Sequence, residues 1–374
     1  MSREIRNLIE NYYDIQKLRV ETGNRLVCWV KENRSKLIEA FSQLITETQF
    51  KCASHGKDET HEIVASHTEL ETHSAHVSHI ESEPQFKLAI DLLQNKKYAE
   101  FTKRFILSHS RCETQKRSAS QVEDETHSFF ALFREIENLR WFHLRLYETE
   151  KELYRRIDIW SRDHELRRKF LNYVKGIGPI LSSGIIAWLC SPREFLINQV
   201  IKIDGRRIIH KQKNKKRVFN LGEKGEIVEY NPEEKWVKVR LPSVIECSDY
   251  VSQLWSYCGL KPGSERKKGE RLQYNPRLKT FCWKIGQSFI KFKCFGRKLY
   301  DAFKEDCQRK HKDWTKLHIH NYARRKVVKL FLASVWEAYR RIRGLEVTKP
   351  YPIEVLGHKQ VITFDKWMEK GEGR

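Results

Sequence analysis

Apolar residues recur at three- and four-residue steps over residues 3 to 41, at Ile5, Leu8, Ile9, Tyr12, Ile15, Leu26, Trp29, Val30 and Leu37. This is the period of one face of a helix. The run slackens around Gly23, so residues 1–41 predict a helical pair or one broken helix. From Phe129 to about Tyr173 the period returns between charges, through Leu132, Ile136, Leu139, Leu146, Leu153, Ile157 and Trp160. Over 132–174 that reads as a long helix with a coiled-coil seam. The seam could pack on the N-terminal helices or on a second copy of the chain as a homodimer, and the pattern does not choose.

Between 197 and 242 the period shortens to β-branched runs, Val200-Ile201-Lys202-Ile203, Ile208-Ile209, Ile227-Val228 and Trp236-Val237-Lys238-Val239, with Asp204-Gly205 as a turn. A small antiparallel β insertion is expected, and its tract Lys211 to Arg217 reads as a phosphate-gripping loop or a solvated turn. Residues 243–374 are read as a helical module. The predicted fold is therefore mainly α, a helical coiled coil plus a helical nucleic-acid module, interrupted by the β insertion.

Segment 42–131 follows a different rule. It contains Ser42-Gln43-LIT-Glu47-Thr48-Gln49-FKC-Ala53, Ser54-His55-GKD-Glu59-Thr60-His61-EIV-Ala65, Ser66-His67-TEL-Glu71-Thr72-His73-SAH-Val77 and Ser78-His79-IES-Glu83-Pro84-Gln85-FKL-Ala89. After a gap that predicts a helix near 86–107 come Ser108-His109-SRC-Glu113-Thr114-Gln115-KRS-Ala119 and Ser120-Gln121-VED-Glu125-Thr126-His127-SFF-Ala131. Six positions of each twelve-residue unit are nearly fixed and two blocks of three vary freely. The variable blocks hold charged, small and aromatic residues at the same site, so neither an apolar stripe nor a ligand face is being maintained.

The exchanges tolerated at the fixed positions are His/Gln, Ala/Val and Thr/Pro, each one nucleotide apart. Twelve codons make a unit of about 36 nucleotides, with two variable inserts of about nine. The hypothesis is that selection acts here on the nucleic acid. A histidine-rich metal site is the first competing reading, weakened because Gln cannot replace His as a ligand. A neutral repeat expansion inside a loop is the second, and it does not explain why inserts diverge while frames hold. The repeats are expected to be disordered or loosely attached.

Composition narrows the partner. Lys and Arg number 71 against 49 Asp and Glu, a formal charge of +22. Such a field attracts polyanions, and each cation that neutralises a phosphate releases a counterion, so binding would weaken as salt rises. The nine cysteines form no Cys-x-x-Cys pair, which argues against a zinc ribbon or a disulfide framework and fits a reduced, cytoplasmic setting. No run of 18 apolar residues suggests a membrane span. No motif requires a cofactor or a metal.

Three segments carry candidate binding chemistry. Lys175-Gly176-Ile177-Gly178-Pro179, opening 175–196, reads as a helix-hairpin-helix in which glycines let backbone N–H groups approach a phosphate; the alternative is an αα corner with glycines for close packing. The loop after Trp255 to Gly259 holds Ser264, Arg266, Lys267, Lys268 and Arg271 before a helix with Lys284. Further on, Arg324, Arg325 and Lys326 give a late helix a cationic face over an apolar back. Lys175, Gly176, Gly178, Arg266, Lys267, Lys268, Arg271, Lys284, Arg324, Arg325 and Lys326 are the expected RNA- and DNA-binding set, none of them catalytic.

The glycine hairpin, the Trp255–Gly259 segment with its basic loop, and Arg324-Arg325-Lys326 resemble the C-terminal half of the IS one-ten group of insertion-sequence transposases. The resemblance covers roughly 170–345 without the β insertion. Those enzymes pair an N-terminal RuvC-like domain with a catalytic serine, near whose place Ser264 falls. The N-terminus here is helical, with no strand carrying an Asp to begin a RuvC-like fold. The same half resembles the Nop domain of box C/D ribonucleoproteins, in which a coiled coil precedes an RNA-gripping helical module. Nop-like relatives occur in tandem interspaced guide RNA systems (TIGR-Tas), whose members bind short dual-spacer guides and recognise double-stranded DNA. The resemblance implies a short guide RNA and duplex DNA as partners, with no nuclease signature in this chain. Transposition through Ser264 is the alternative it leaves open.

Overall fold

The computed structural model describes residues 2–55, 83–107, 127–212, 215–265, 268, 272–349 and 364–368. They are mainly helical, with a small antiparallel β region, and divide into two compact units. One comprises Met1–Asn11 and Leu153–Arg374, the other Tyr12–Glu152.

In the unit from Tyr12 to Glu152, helix α1 (Ser2–Glu32) runs unbroken through Gly23, contrary to the expected interruption. A glycine inside a helix costs only about 1 kcal/mol, and here its bare backbone admits the His143 ring. A Cβ at Gly23 would lie 3.1 Å from His143 Cε1. The break falls at Asn33, after which α2 spans Arg34–His55.

Helix α3 (Glu83–Gln94) and α4 (Tyr98–Phe101, continued by a π turn to Ile106) pack on α2 around Leu37, Phe41, Phe86, Leu93 and Phe101, joined by Leu26 and Val30 of α1 and Ile136 of α5. Helix α5 spans His127–Arg162. Its buried positions Ile136, His143, Glu150 and Ile157 recur every seven residues. Gln16 donates to Glu150 at 3.0 Å, Arg19 pairs with the same carboxylate, and Thr22 Oγ1 lies 3.0 Å from His143 Nδ1. The contacts step backward along α5 as α1 advances, so the two helices are antiparallel within one chain.

Two expectations for this region need correction. The long helix stops at Arg162, not near Tyr173, because His164 turns extended and its Nδ1 accepts from the Leu166 N–H, capping the short α6 (Glu165–Lys169). The first repeat copy is not disordered: residues 42–53 continue α2, where Leu44 and Ile45 extend its apolar face onto the core. The fourth copy likewise enters α3 from Glu83, and the last enters α5 from His127. The remaining repeat residues lie outside the described ones.

In the other unit, α7 (Pro179–Ile185) and the π turn Ile186–Cys190 are buried from Ile180 onward. The Arg6 guanidinium donates to the Ala187 carbonyl at 2.8 and 2.6 Å, satisfying an acceptor that the π turn leaves over. The β insertion begins at Arg193, earlier than predicted. Strands β1 (Arg193–Asn198), β6 (Trp236–Leu241) and β5 (Glu226–Asn231) form one three-stranded sheet in that order, and β2 (Val200–Asp204), β3 (Arg207–Gln212) and β4 (Lys215–Asn220) form another. All pairs are antiparallel. The sheets bury Ile197, Val200, Ile208, Val237 and Val239 between them, with Phe195 edge-on to Phe219 at 5.3 Å. The tract read as a loop from Lys211 to Arg217 belongs, at both ends, to the β3–β4 hairpin.

The C-terminal helices are α8 (Val251–Tyr257), α9 (Pro276–Lys291), α10 (Phe295–Lys310) and α11 (Lys316–Ile342). Trp367 inserts among Phe289, Phe295 and Phe331 at ring separations of 5.2 Å each. Glycines 184, 286 and 296 bring backbone against Phe281, Arg324 and Phe289. The C-terminal half of α11 is core: Trp336 Nε1 donates to the Ser248 carbonyl, Tyr339 to the Cys190 carbonyl, and buried Arg340 to the Ile245 and Ser248 carbonyls.

Candidate nucleic-acid interface

The glycine turn is built from below by a buried polar lock. Ser183 Oγ lies 2.7 Å from Ser161 Oγ and donates to the Ile157 or Pro179 carbonyl. Arg167 donates to Ser161 Oγ at 2.6 Å and to Asp158 at 2.5 Å. The guanidinium groups of Arg162 and Arg167 hold the Asp158 carboxyl below its ordinary pKa although its partial burial pushes the other way.

Above this lock the chain turns at Gly176, whose φ of 94° excludes ordinary side chains. The Gly176 carbonyl accepts from Ser288 Oγ at 2.5 Å, and its α-carbon faces Phe289. Gly176 is thus committed to close packing on α9. Gly178 differs: it is exposed, in extended backbone, with nothing within 4 Å of a would-be Cβ. Lys175 beside it is exposed. The helix that follows runs from Pro179 through the π turn to Cys190, but the one before is only the five-residue α6 with a 3₁₀ turn, so the first helix of the expected hairpin is short.

The basic loop follows α8. Gly259 at φ 67° ends that helix, where a Cβ would strike Tyr274 at 2.8 Å. Lys279 crosses over the Tyr274 ring at 4.6 Å and donates to the Ser264 carbonyl at 2.5 Å, tying the loop to α9. Lys268 is exposed; Arg266, Lys267 and Arg271 lie outside the described residues. Among the described residues no carboxylate or imidazole is hydrogen-bonded to the Ser264 hydroxyl, the pairing that activates a serine nucleophile.

The late cationic helix is the most developed surface. Asn275 caps α9 by accepting from the Arg277 and Leu278 N–H groups, and Thr315 caps α11 by accepting from that of His318. Gly286 lets α11 approach so closely that a Cβ there would lie 2.5 Å from Arg324 Cγ. Arg324 accordingly lies over Trp283, itself 49% exposed, at 5.1 Å, and donates to Asn321 at 2.8 Å. Burial pulls the Arg324 pKa down. Lys326 Nζ sits 4.9 Å from the Tyr322 ring and 5.1 Å from Phe303, and Arg325 5.8 Å from Tyr322. Lys329 covers Trp255 at 4.2 Å, its pKa lowered by burial and by Arg325 and Lys326. Lys284, half-buried on α9, belongs to the same helical layer.

Four aromatic rings before and within the first turns of α11 join this surface. His311 stacks on Trp314 at 4.1 Å and 10°, His318 lies 4.1 Å from the same indole, and Tyr322 meets it edge-on at 5.5 Å. The signal was available: Trp314, His318, Tyr322 and Lys326 are four residues apart, one row of a helix face. Both histidines that open α11 have partners, His318 the indole and His320 the Tyr300 hydroxyl at 2.7 Å. Among the described residues no cluster of three His, Cys, Asp or Glu could hold a metal ion.

The charge around these rings is not neutralised from within. Arg297, Arg309, Lys310 and Arg341 each pair with a carboxylate on their own helix. Among the described residues, Arg324, Arg325, Lys326 and Lys329 pair with none. Unneutralised cations resting on aromatic faces can meet phosphates while the rings stack on bases.

No protein-family model matches the chain, nor does any curated protein or solved structure. Among the described residues no helix is long and apolar enough to cross a membrane.

Proposed function

We propose that this chain is a guide-RNA-binding protein that recognises double-stranded DNA through a short dual-spacer RNA and carries no nuclease of its own. The observation that carries the reading is the repeat: twelve-residue units, which as codons span about 36 nucleotides, with two three-residue variable blocks of about nine nucleotides each that share no apolar pattern from unit to unit. The C-terminal helices would act as a Nop-like module, with the antiparallel α1–α5 seam as its coiled coil. Lys175, Gly178, Lys268, Lys284, Arg324, Arg325 and Lys326 are the proposed contacts, with Trp283 as a stacking surface. Support comes from Arg324, Arg325, Lys326 and Lys329, left without carboxylate partners among the described residues, beside the exposed Trp283 and the half-buried Tyr322. Protein contacts would hold the RNA backbone while base pairing selects sequence.

The test is to purify the full chain from cells carrying its native gene and sequence the small RNA that accompanies it. Discrete RNAs of about one unit, mapping in sense to codons 42–131, are expected. RNA of no defined length or origin would overturn the guide reading.

A further inference from the structure

The β insertion has two outer faces of opposite character. On the β1–β6–β5 sheet, the outward rows are Glu194–Arg240–Glu226 and Leu196–Lys238–Glu229. Arg240 bridges both of its neighbours, at 2.6 and 3.0 Å, so that face neutralises itself. On the other sheet, Ile203, Ile208 and Phe219 are opposite one another and face the core. Strand alternation therefore places Lys202, Ile209 and Val218 in one outward row and Lys211 with Lys216 in the next. Lys202, Lys211 and Lys216 are exposed, Val218 is 62% exposed, and among the described residues none of the three lysines has an ion-pair partner. Like charges directly opposite in a sheet, as Lys211 and Lys216 are, destabilise it. A charge of this kind with no internal partner points to a polyanion outside the chain.

We propose that the outer face of the β2–β3–β4 sheet is a docking surface for the phosphate backbone of duplex DNA. The proposal rests on the reading that the chain recognises DNA and assigns that contact to a surface other than the helical one. The chemistry of the face selects a duplex. Its outward rows hold lysines and aliphatic groups, with no aromatic ring on which an unpaired base could stack. At the far end, Arg207 lies opposite Asp204 and Asn220, whose side-chain carbonyl already accepts from the Gly222 N–H. Arg206 and Glu223 line the recess there with them, two arginines beside two acids, so that end offsets its own charge while the three lysines do not.

The full-length variant Lys202→Gln/Lys211→Gln/Lys216→Gln is compared with wild type, each purified with the RNA it carries, for retained RNA and for affinity to a fluorescent DNA duplex. The variant should keep its RNA. Its plot of log affinity against log salt should flatten by about 2.7, so the affinity lost between about 50 and 200 mM salt becomes roughly 40-fold smaller. Lys202→Arg/Lys211→Arg/Lys216→Arg should restore the slope, separating charge from folding, and Lys238→Gln on the neutral sheet should not change it. Equal slopes for wild type and the Gln variant would overturn the proposal while leaving DNA recognition intact. Loss of RNA in place of DNA would overturn the choice of ligand. A wild-type complex that holds RNA but no duplex would overturn both this proposal and the DNA half of the reading above.

Discussion

Three glycines within nine residues should respond to alanine in three ways. At Gly184 an added methyl would lie 2.1 Å from Phe281 Cζ and 2.5 Å from Cε2, and the Phe281 ring is backed by Trp188 at 5.0 Å. The ring has to shift by more than an ångström against a closed wall, which puts the overpacking cost at the upper end of its usual range, about 2–3 kcal/mol, offset by about 1 kcal/mol of gained helix propensity. The net loss of about 1–2 kcal/mol should lower Tm by roughly 3–6 °C. Gly176→Ala pays for φ 94°, again about 1–2 kcal/mol. Gly178→Ala meets open space in an extended conformation that a residue before proline adopts freely, and it removes freedom from the unfolded chain. Its stability should match wild type or exceed it by up to about 1 kcal/mol. Thermal melts of the three variants test the packing, and RNA affinity measured on Gly178→Ala tests the hairpin. Because that variant keeps its fold, any lost affinity reports a methyl placed between backbone and phosphate. Wild-type stability for Gly184→Ala, or a loss above about 1 kcal/mol for Gly178→Ala, would refute the reasoning.

Other consequences can be measured directly. Replacing Arg324, Arg325 and Lys326 together by Gln should flatten the salt dependence of RNA binding by about 2, since each phosphate contact to a single strand contributes about 0.7; an unchanged slope would remove this helix from the interface. Arg167→Ala strands Asp158 and the buried serine pair and should cost about 2–4 kcal/mol in chemical denaturation, whereas a loss below 1 would show that the lock is dispensable. His143, His164 and His320 are held below their ordinary pKa, chiefly by burial and also by neighbouring arginines. Below the unfolded value of about 6.5 the unfolded chain therefore binds more protons than the folded one, and stability should fall as pH drops from 7.5 to 5.5. A midpoint that holds or rises over that range would contradict these assignments.

The helical and β regions were legible because their periods are set by one buried face each, as Ile136, Ile157 and the Val237–Val239 pair illustrate. What the sequence concealed depends on partners far along the chain. Gly23 looks like a break until His143 occupies its empty side. The end of α5 at Arg162 is decided by an imidazole acting as a helix cap, a role that spacing does not reveal. Strand β4 reads as a charge run because Lys215, Lys216 and Arg217 fill its first half, leaving Phe219 as its anchor in the sheet core. At the interface, Arg324 to Lys326 stood out as charge and the ring row from Trp314 to Tyr322 was readable in its four-residue spacing, but the glycine that seats Arg324 emerges only when α9 and α11 are packed together.

The entry of the repeats into folded helices has a consequence for how freely the proposed inserts can be rewritten. Leu44 and Ile45 belong to a variable block of the first unit, and Phe86 and Leu88 to one of the fourth, yet all four side chains pack in or against the core around Phe41 and Leu93. On the guide reading, those stretches of gene are overprinted: one set of nucleotides must both address a target and encode a hydrophobic contact. Only codon choices that keep an apolar side chain would survive there, so the spacers specified by these two blocks should drift within a narrower vocabulary than the others.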